Sequence, residues 1–190
     1  MPDEVSYYKD IQKFIEIQLK SNFKANNIKN VNIFWGIGEL KSNLQTIIKN
    51  NPSECSCAKH YAETISPLNV DIFALITDAK HYELLILEIK KVKSVGLHEW
   101  SQLIGYCLVS GAKYGILLNI NNKTSTRLSE LLFFKHHMSH IKTLIDKKVY
   151  EHNLGLMYWN SFTQNFEYSN LGELKSLSEL SEKLIIEFSN

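Results

Sequence analysis

The sequence predicts an α/β (α+β) domain with a central mixed β-sheet flanked by helices, and three observations carry that prediction. Segments with helical and with strand periodicity alternate along the chain, with no repeat or Pro/Gly-rich linker between them. Leu84-Leu85-Ile86-Leu87 is apolar on both faces of an extended chain, as a strand covered on both sides must be. The 190 residues, 44% apolar and 22% charged, match the averages for a folded domain with a real core, which excludes disorder as the main state. One domain over 1–190 follows, with its core at about 58–120 and an extension at about 124–190.

Tyr7, Tyr8, Ile11, Phe14, Ile15 and Leu19 recur at helical spacing and predict a helix over 6–23. Residues 31–35 read as a short strand punctuated by Gly36 and Gly38. Helical spacing returns over 39–49 through Leu40, Leu44, Ile47 and Ile48, and Asn50-Asn51-Pro52-Ser53 stops it. Three strands are expected next, over 58–65, 70–76 and 82–92, with Thr77-Asp78-Ala79-Lys80 as the turn between the second and third. A helix over 97–110, a strand over 114–120 and a helix over 124–145 follow. Residues 155–159 and 165–168 read as a small hairpin, and 177–188 as the last helix.

Net charge and cysteine usage narrow the class. A formal charge of +1 is less basic than a nucleic-acid coating protein needs, although a local patch can still steer a polyanion. Arg127 is the one arginine, so bidentate reading of guanine is nearly absent and lysines must make the phosphate contacts. Cys55, Cys57 and Cys107 fit reduced thiols in a cytosol better than a disulfide scaffold. No apolar run approaches the ~20 residues of a membrane span, and the acidic start lacks the layout of a signal peptide. The expectation is a cytoplasmic protein with no membrane partner.

The chemistry lies in the hairpin of the second and third predicted strands. A turn centred between Ala79 and Lys80 places Asp71 directly across from Glu88, with Cβ atoms roughly 4.5–5.5 Å apart. Two carboxylates that close repel, and one must take up a proton unless they share a cation. Lys90 projects from the same face as Glu88. A Glu and a Lys ending a buried strand are costly unless they serve each other or a ligand. The competing reading is a cross-strand ion pair on a solvated face, and the apolar run before Glu88 weighs against it. Phosphodiester hydrolysis needs this set: carboxylates for Mg²⁺ or Mn²⁺, a polarised phosphoryl oxygen and an acidified water, and an ammonium beside developing charge.

Asn69-Val70-Asp71, sixteen further residues and then Glu88-Ile89-Lys90 resemble the signature of the PD-(D/E)XK nucleases, with Asn-Val-Asp where many members have Pro-Asp. Gln102-Leu103-Ile104-Gly105-Tyr106 is similar to the Gln-x-x-x-Tyr element of the RecB-like branch. Gln102 and Tyr106 share one helix face, with His98 a turn earlier. The resemblance spans about 58–120 and implies a restriction-endonuclease-like core and a metal-dependent nuclease acting on DNA. It implies Asp71, Glu88 and the main-chain carbonyl of Ile89 as metal ligands, Lys90 beside the attacking water, and Gln102 and Tyr106 as groups that bind phosphate or fix the lysine. An upstream acid usually completes such a site. A turn centred on Pro67 would set Glu63 opposite Asp71, with Glu16, Glu39 and His60 as competitors. Lys91 and Lys93, with His98, are candidates for gripping a backbone phosphate.

Cys55-Ser56-Cys57 with His60 departs from structural zinc spacing, and three cysteines do not hold an iron–sulfur cluster, so none is expected. His136, His137 and His140 are expected on a helix surface, and Trp35, Trp100 and Trp159 in the core or at an interface. Alternatives within the enzymes are a Holliday-junction resolvase, which implies a homodimer, and a restriction endonuclease. The alternative of another class is an inert module that binds nucleic acid or protein on the same fold.

Overall fold

In the computed structural model, which describes residues 3–145 and 147–189, a 3-10 turn at Glu4–Tyr7 runs directly into helix α1 (Tyr8–Ala25). Asp3 caps that turn by accepting from the Val5 N–H at 2.7 Å. Strand β1 (Asn32–Glu39) leads into α2 (Leu40–Asn50), and a 3-10 turn at Ser56–Ala58 leads into α3 (Lys59–Thr64). The hairpin of β2 (Asn69–Thr77) and β3 (Tyr82–Lys90) follows, then β4 (Ser94–Val95), α4 (Leu97–Ser110), β5 (Tyr114–Ile120) and β6 (Lys123–Thr124). The remaining elements are α5 (Thr126–Phe134), a 3-10 turn at His136–Met138, β7 (His140–Ile145), β8 (Lys148–Asn160), β9 (Asn165–Gly172) and α6 (Leu177–Ser189).

Seven strands form one mixed sheet in the order β1-β2-β3-β5-β8-β7, with β9 also paired to β8. The β1, β2 and β3 strands run antiparallel, β3, β5 and β8 run parallel, and β7 and β9 run antiparallel to successive halves of β8. Both faces of β3 are covered. Leu85, Leu87 and Ile89 pack with Ile11 and Ile15 of α1 and Leu184 of α6, whereas Leu84 and Ile86 pack with Leu44 of α2 and with Trp100 and Leu103 of α4. Helices on both sides explain why this strand is an unbroken apolar run instead of an alternating one. Trp100 and Trp159 are buried. No helix among the described residues is long and apolar enough to cross a membrane.

The segment over 58–65 is a helix, not the expected strand. Its buried positions are Ala58, Ala62 and Ile65, while Lys59, His60, Glu63 and Thr64 are exposed, which is the spacing of a helical face. The helix expected over 124–145 stops at Phe134. Leu128 and Leu132 give it a buried face, but residues 140–145 pair with β8, with Ile141 and Thr143 turned inward and Lys142 and Leu144 outward. His136 and His140 therefore sit on different elements and converge on Glu173, at 3.4 and 4.0 Å. The first strand does not stop at its glycines. Gly36 makes room for the Phe73 ring of β2, since a Cβ there would lie 2.2 Å from Phe73 Cζ.

One ionisable group strains this packing away from the end of β3 that carries Lys90. Glu83 sits near the start of β3, where burial pushes its carboxyl up from the usual 4.5 to about 7, Lys113 opposing the rise and Glu187 adding to it. The folded state thus favours the neutral acid. Ionisation costs nothing below the unfolded value and its full cost is present above about 7. Glu83→Gln is expected to raise the melting temperature by a few degrees near pH 8 and to leave it unchanged near pH 4. Thermal melts across that range check it, and a gain independent of pH would contradict it.

Candidate active site

The pairing of β2 with β3 has the register expected from the turn: Thr77 faces Tyr82 and Ile72 faces Leu87. Asp71 and Glu88 are the next positions out, where the ladder gives way to side-chain contacts. Asp71 Oδ2 accepts the Ile89 N–H at 2.8 Å. On its other side β2 carries a bulge, because Ile37 of β1 faces Ile72 while Gly38 faces Val70, leaving Asp71 as the extra residue. Gly38 has φ +83°, a left-handed conformation that glycine adopts without a Cβ penalty. A bulge bends the strand and re-aims the extra side chain, here toward the end of β3.

Glu88 is 1% exposed at its side chain, Lys90 21% and Asp71 24%. Lys90 Nζ is ion-paired with Glu88 Oε1 and lies 3.9 Å from Asp71 Oδ2. Apart from that ion pair, neither Glu88 oxygen has a hydrogen-bond partner among the described residues. Burial raises the Glu88 carboxyl above its usual range and Asp71 adds to the rise, while Lys90 works against it. Burial alone would lower Lys90, but Glu88, Asp71 and Glu4 together hold the ammonium above its usual value. Because Ile89 directs its N–H at Asp71, its carbonyl faces the same side of β3, since a strand residue points both groups the same way.

The N-terminal turn brings two groups that the spacing argument missed. Glu4 Oε2 accepts the Lys91 N–H at 3.1 Å. Burial raises its carboxyl, Asp71 adds to the rise and Lys90 opposes it, so Glu4 borders the same cluster. The Tyr8 hydroxyl interacts with Asp71, and burial followed by the charges of Asp71 and Glu4 holds it protonated. The sequence holds no spacing that links positions 4 and 8 to 71 and 88; only the packing of α1 across the sheet does. Asn119 is a third addition. It is fully buried beside Lys90 in the parallel register, accepts the Val92 N–H at 3.3 Å, and donates to Val92 O and Lys123 O at 3.1 and 3.0 Å. A lone Asn in the apolar strand Tyr114–Ile120 was its visible signal.

The expected upstream acids lie elsewhere. Glu63 and His60 are exposed on α3, where Tyr61 between them stacks on Tyr82 at the far end of β3. Glu63 cannot face Asp71 across a turn, because its segment is helical. Glu16 accepts from Trp35 Nε1 at 3.0 Å and pairs with Lys20 at 2.5 Å. Glu39 caps α2 through the Lys41 and Ser42 N–H groups. Gln102 donates to the Tyr106 hydroxyl at 2.7 Å, so the two share a helix face and bond to each other. In the first turn of α4 the Glu99 carboxylate accepts the Gly96 N–H at 2.7 Å, and exposed His98 stands beside it. Lys91 Nζ lies over the Tyr7 ring at 5.1 Å, and Lys93 is exposed.

Among the described residues no three His, Cys, Asp or Glu side chains form a metal cage. The cluster instead offers two carboxylates and a carbonyl, with Glu4 behind them. No family model matches this chain, and neither curated proteins nor solved structures show a match to it.

Proposed function

We propose that the chain is a Mg²⁺- or Mn²⁺-dependent nuclease that hydrolyses phosphodiester bonds in DNA. Glu88 carries this reading: it is a buried carboxylate ending an apolar strand, whose Oε1 meets only the Lys90 ammonium and whose Oε2 has no hydrogen-bond partner among the described residues. Such oxygens are costly to bury, and a divalent cation held by Asp71, Glu88 and the Ile89 carbonyl would remove the cost. Mg²⁺ suits so few protein ligands because it keeps several waters and takes one or two carboxylates. When bound, the cation would supply Lewis acidity to a phosphoryl oxygen and to water.

The other tasks fall to the chain's own residues. Lys90, held above its usual pKa, stays charged at neutral pH. It is a donor that orients the attacking water and offsets charge developing on the phosphate, not a general base. Asp71 is held by the Ile89 N–H, which bonds Oδ2, the oxygen facing Lys90, and by Tyr8. The resemblance of Asp71…Glu88-Ile89-Lys90 to the PD-(D/E)XK pattern supports the same reading. So does the order of antiparallel hairpin, helix α4 and parallel strand β5, which suits a restriction-endonuclease-like core.

Purified protein offered linear duplex, closed circular duplex, single-stranded circle and a four-way junction is expected to cut in Mg²⁺ or Mn²⁺, not in EDTA, and not as Asp71→Ala. A folded protein that cuts none of them would sink the nuclease reading in favour of a binding module. Glu4→Gln is expected to raise the metal concentration needed for half-maximal cleavage by about 10-fold or more, without loss of fold. An unchanged metal dependence would reduce Glu4 to a brace for the loop at Lys91.

A further inference from the structure

A second group of side chains, which the cleavage chemistry does not use, stands at the same end of the sheet. The parallel register puts Lys90 beside Asn119, and Asn119 beside Tyr158 of β8. Tyr158 is therefore two strand spacings, roughly 10 Å, from Lys90. Just beyond it the β8–β9 turn presents Phe162, 91% exposed. Between this turn and the one joining β5 to β6 lies a cleft of about 220 Å³, bordered by Phe162, Tyr158, Asn122, Lys123 and Glu167.

The backbone that carries the exposed ring is held in place. Asn160 Oδ1 accepts the N–H groups of Phe162 and Thr163 at 3.0 and 3.2 Å. Asn121 staples the turn to β5, donating to Ser161 Oγ at 2.6 Å and accepting the Ser161 N–H at 2.7 Å. A large apolar side chain kept in water on a stapled turn costs no further backbone ordering when a flat partner covers it. Charge then selects the partner. Glu167, bonded to Asn160 Nδ2 at 2.8 Å, puts negative charge on the cleft wall and disfavours a phosphate inside it. Lys123 across the cleft makes no ion pair among the described residues and can take a phosphate at the rim. A neutral aromatic group linked to a phosphate fits both conditions.

We infer that Phe162 and this cleft form a nucleobase subsite, in which the ring stacks on an unpaired base of the strand being cut and Lys123 holds the adjoining phosphate. The inference rests on the nuclease reading of the Asp71–Glu88–Lys90 site. It names a substrate class: inside a duplex both faces of a base are already stacked, so a base that stacks on Phe162 belongs to a single strand, a flap or a frayed end. Base–aromatic stacking tolerates any sequence, in keeping with a chain that has a single arginine.

The test is fluorescence anisotropy with a labelled single-stranded deoxyoligonucleotide and a blunt duplex of the same sequence, in EDTA and again in Ca²⁺. Phe162→Ala is expected to weaken single-strand binding roughly 10-fold and to leave duplex binding and the melting temperature unchanged. Phe162→Tyr and Phe162→Trp are expected to restore it. Equal binding by Phe162→Ala and the unaltered protein, no restoration by either aromatic, or no single-strand binding at all would each overturn the subsite. None of these readouts requires cleavage. A protein that cuts duplex but fails them would lose the subsite and keep the nuclease reading, and one that passes them without cutting would do the reverse.

Discussion

Lys90→Met is expected to lower metal-dependent cleavage by about 100- to 1000-fold, the usual loss when one donor to developing charge is removed. Methionine keeps most of the apolar stem and deletes only the ammonium. The variant leaves Asp71, Glu88 and the Ile89 carbonyl in place, so Mn²⁺ binding by calorimetry should persist. Asp71→Asn is expected to lose both, because it removes the anionic ligand and leaves one acceptor oxygen where the carboxylate that Ile89 and Tyr8 hold has two. The split between the two variants is the informative result. Loss of Mn²⁺ binding in Lys90→Met would mean that the lysine builds the site instead of acting in it. Full activity in Lys90→Met would remove the lysine from the chemistry altogether. Without the ammonium, Glu88 also loses its one opposing charge, so the metal-free variant should bind a proton there more tightly.

Gly155→Ala is expected to destabilise the fold by about 2–3 kcal/mol, lowering the melting temperature by roughly 5–10 °C. The chain leaving β9 crosses β8 at this residue, with the Glu173 and Leu174 N–H groups both on Leu154 O at 2.8 and 3.1 Å. A Cβ on Gly155 would lie 2.3 Å from the Leu174 carbonyl oxygen. That contact is with backbone, so no rotamer relieves it; the crossing itself must move. Gly172, at φ +90°, sets the same crossing from the other strand. Leu174 and Leu177 begin the layer through which α6 packs on α1, the helix that carries Tyr8. Thermal and urea melts would measure the effect, and an unchanged midpoint would show that the crossing is looser than its contacts imply. Gly105→Ala, where a new Cβ meets nothing within 4 Å, is the control.

The sequence by itself determined the β2–β3 hairpin, its register, and with it the meeting of Asp71, Glu88 and Lys90. That information is local: a four-residue turn and a period of two place residues 71 and 88 opposite each other whatever the rest of the chain does. It also determined α4 and the parallel strand β5, because apolar periodicity and a buried run survive in any α/β context. Where local pattern was ambiguous, tertiary packing decided. The segment at 58–65 became a helix because Ala58, Ala62 and Ile65 had a core to fill, and 140–145 became a strand because β8 offered an edge to pair with. Gly36 and Gly38, read as stops, continue β1 because one admits the Phe73 ring and the other forms the bulge at Asp71. Glu4 and Tyr8 reach Asp71 only because α1 lies across the sheet, a contact between residues far apart in the chain that no periodicity encodes. Short-range spacing records how neighbours on one element face each other; which elements then meet depends on burying their apolar faces together, and that is settled only when the whole chain folds.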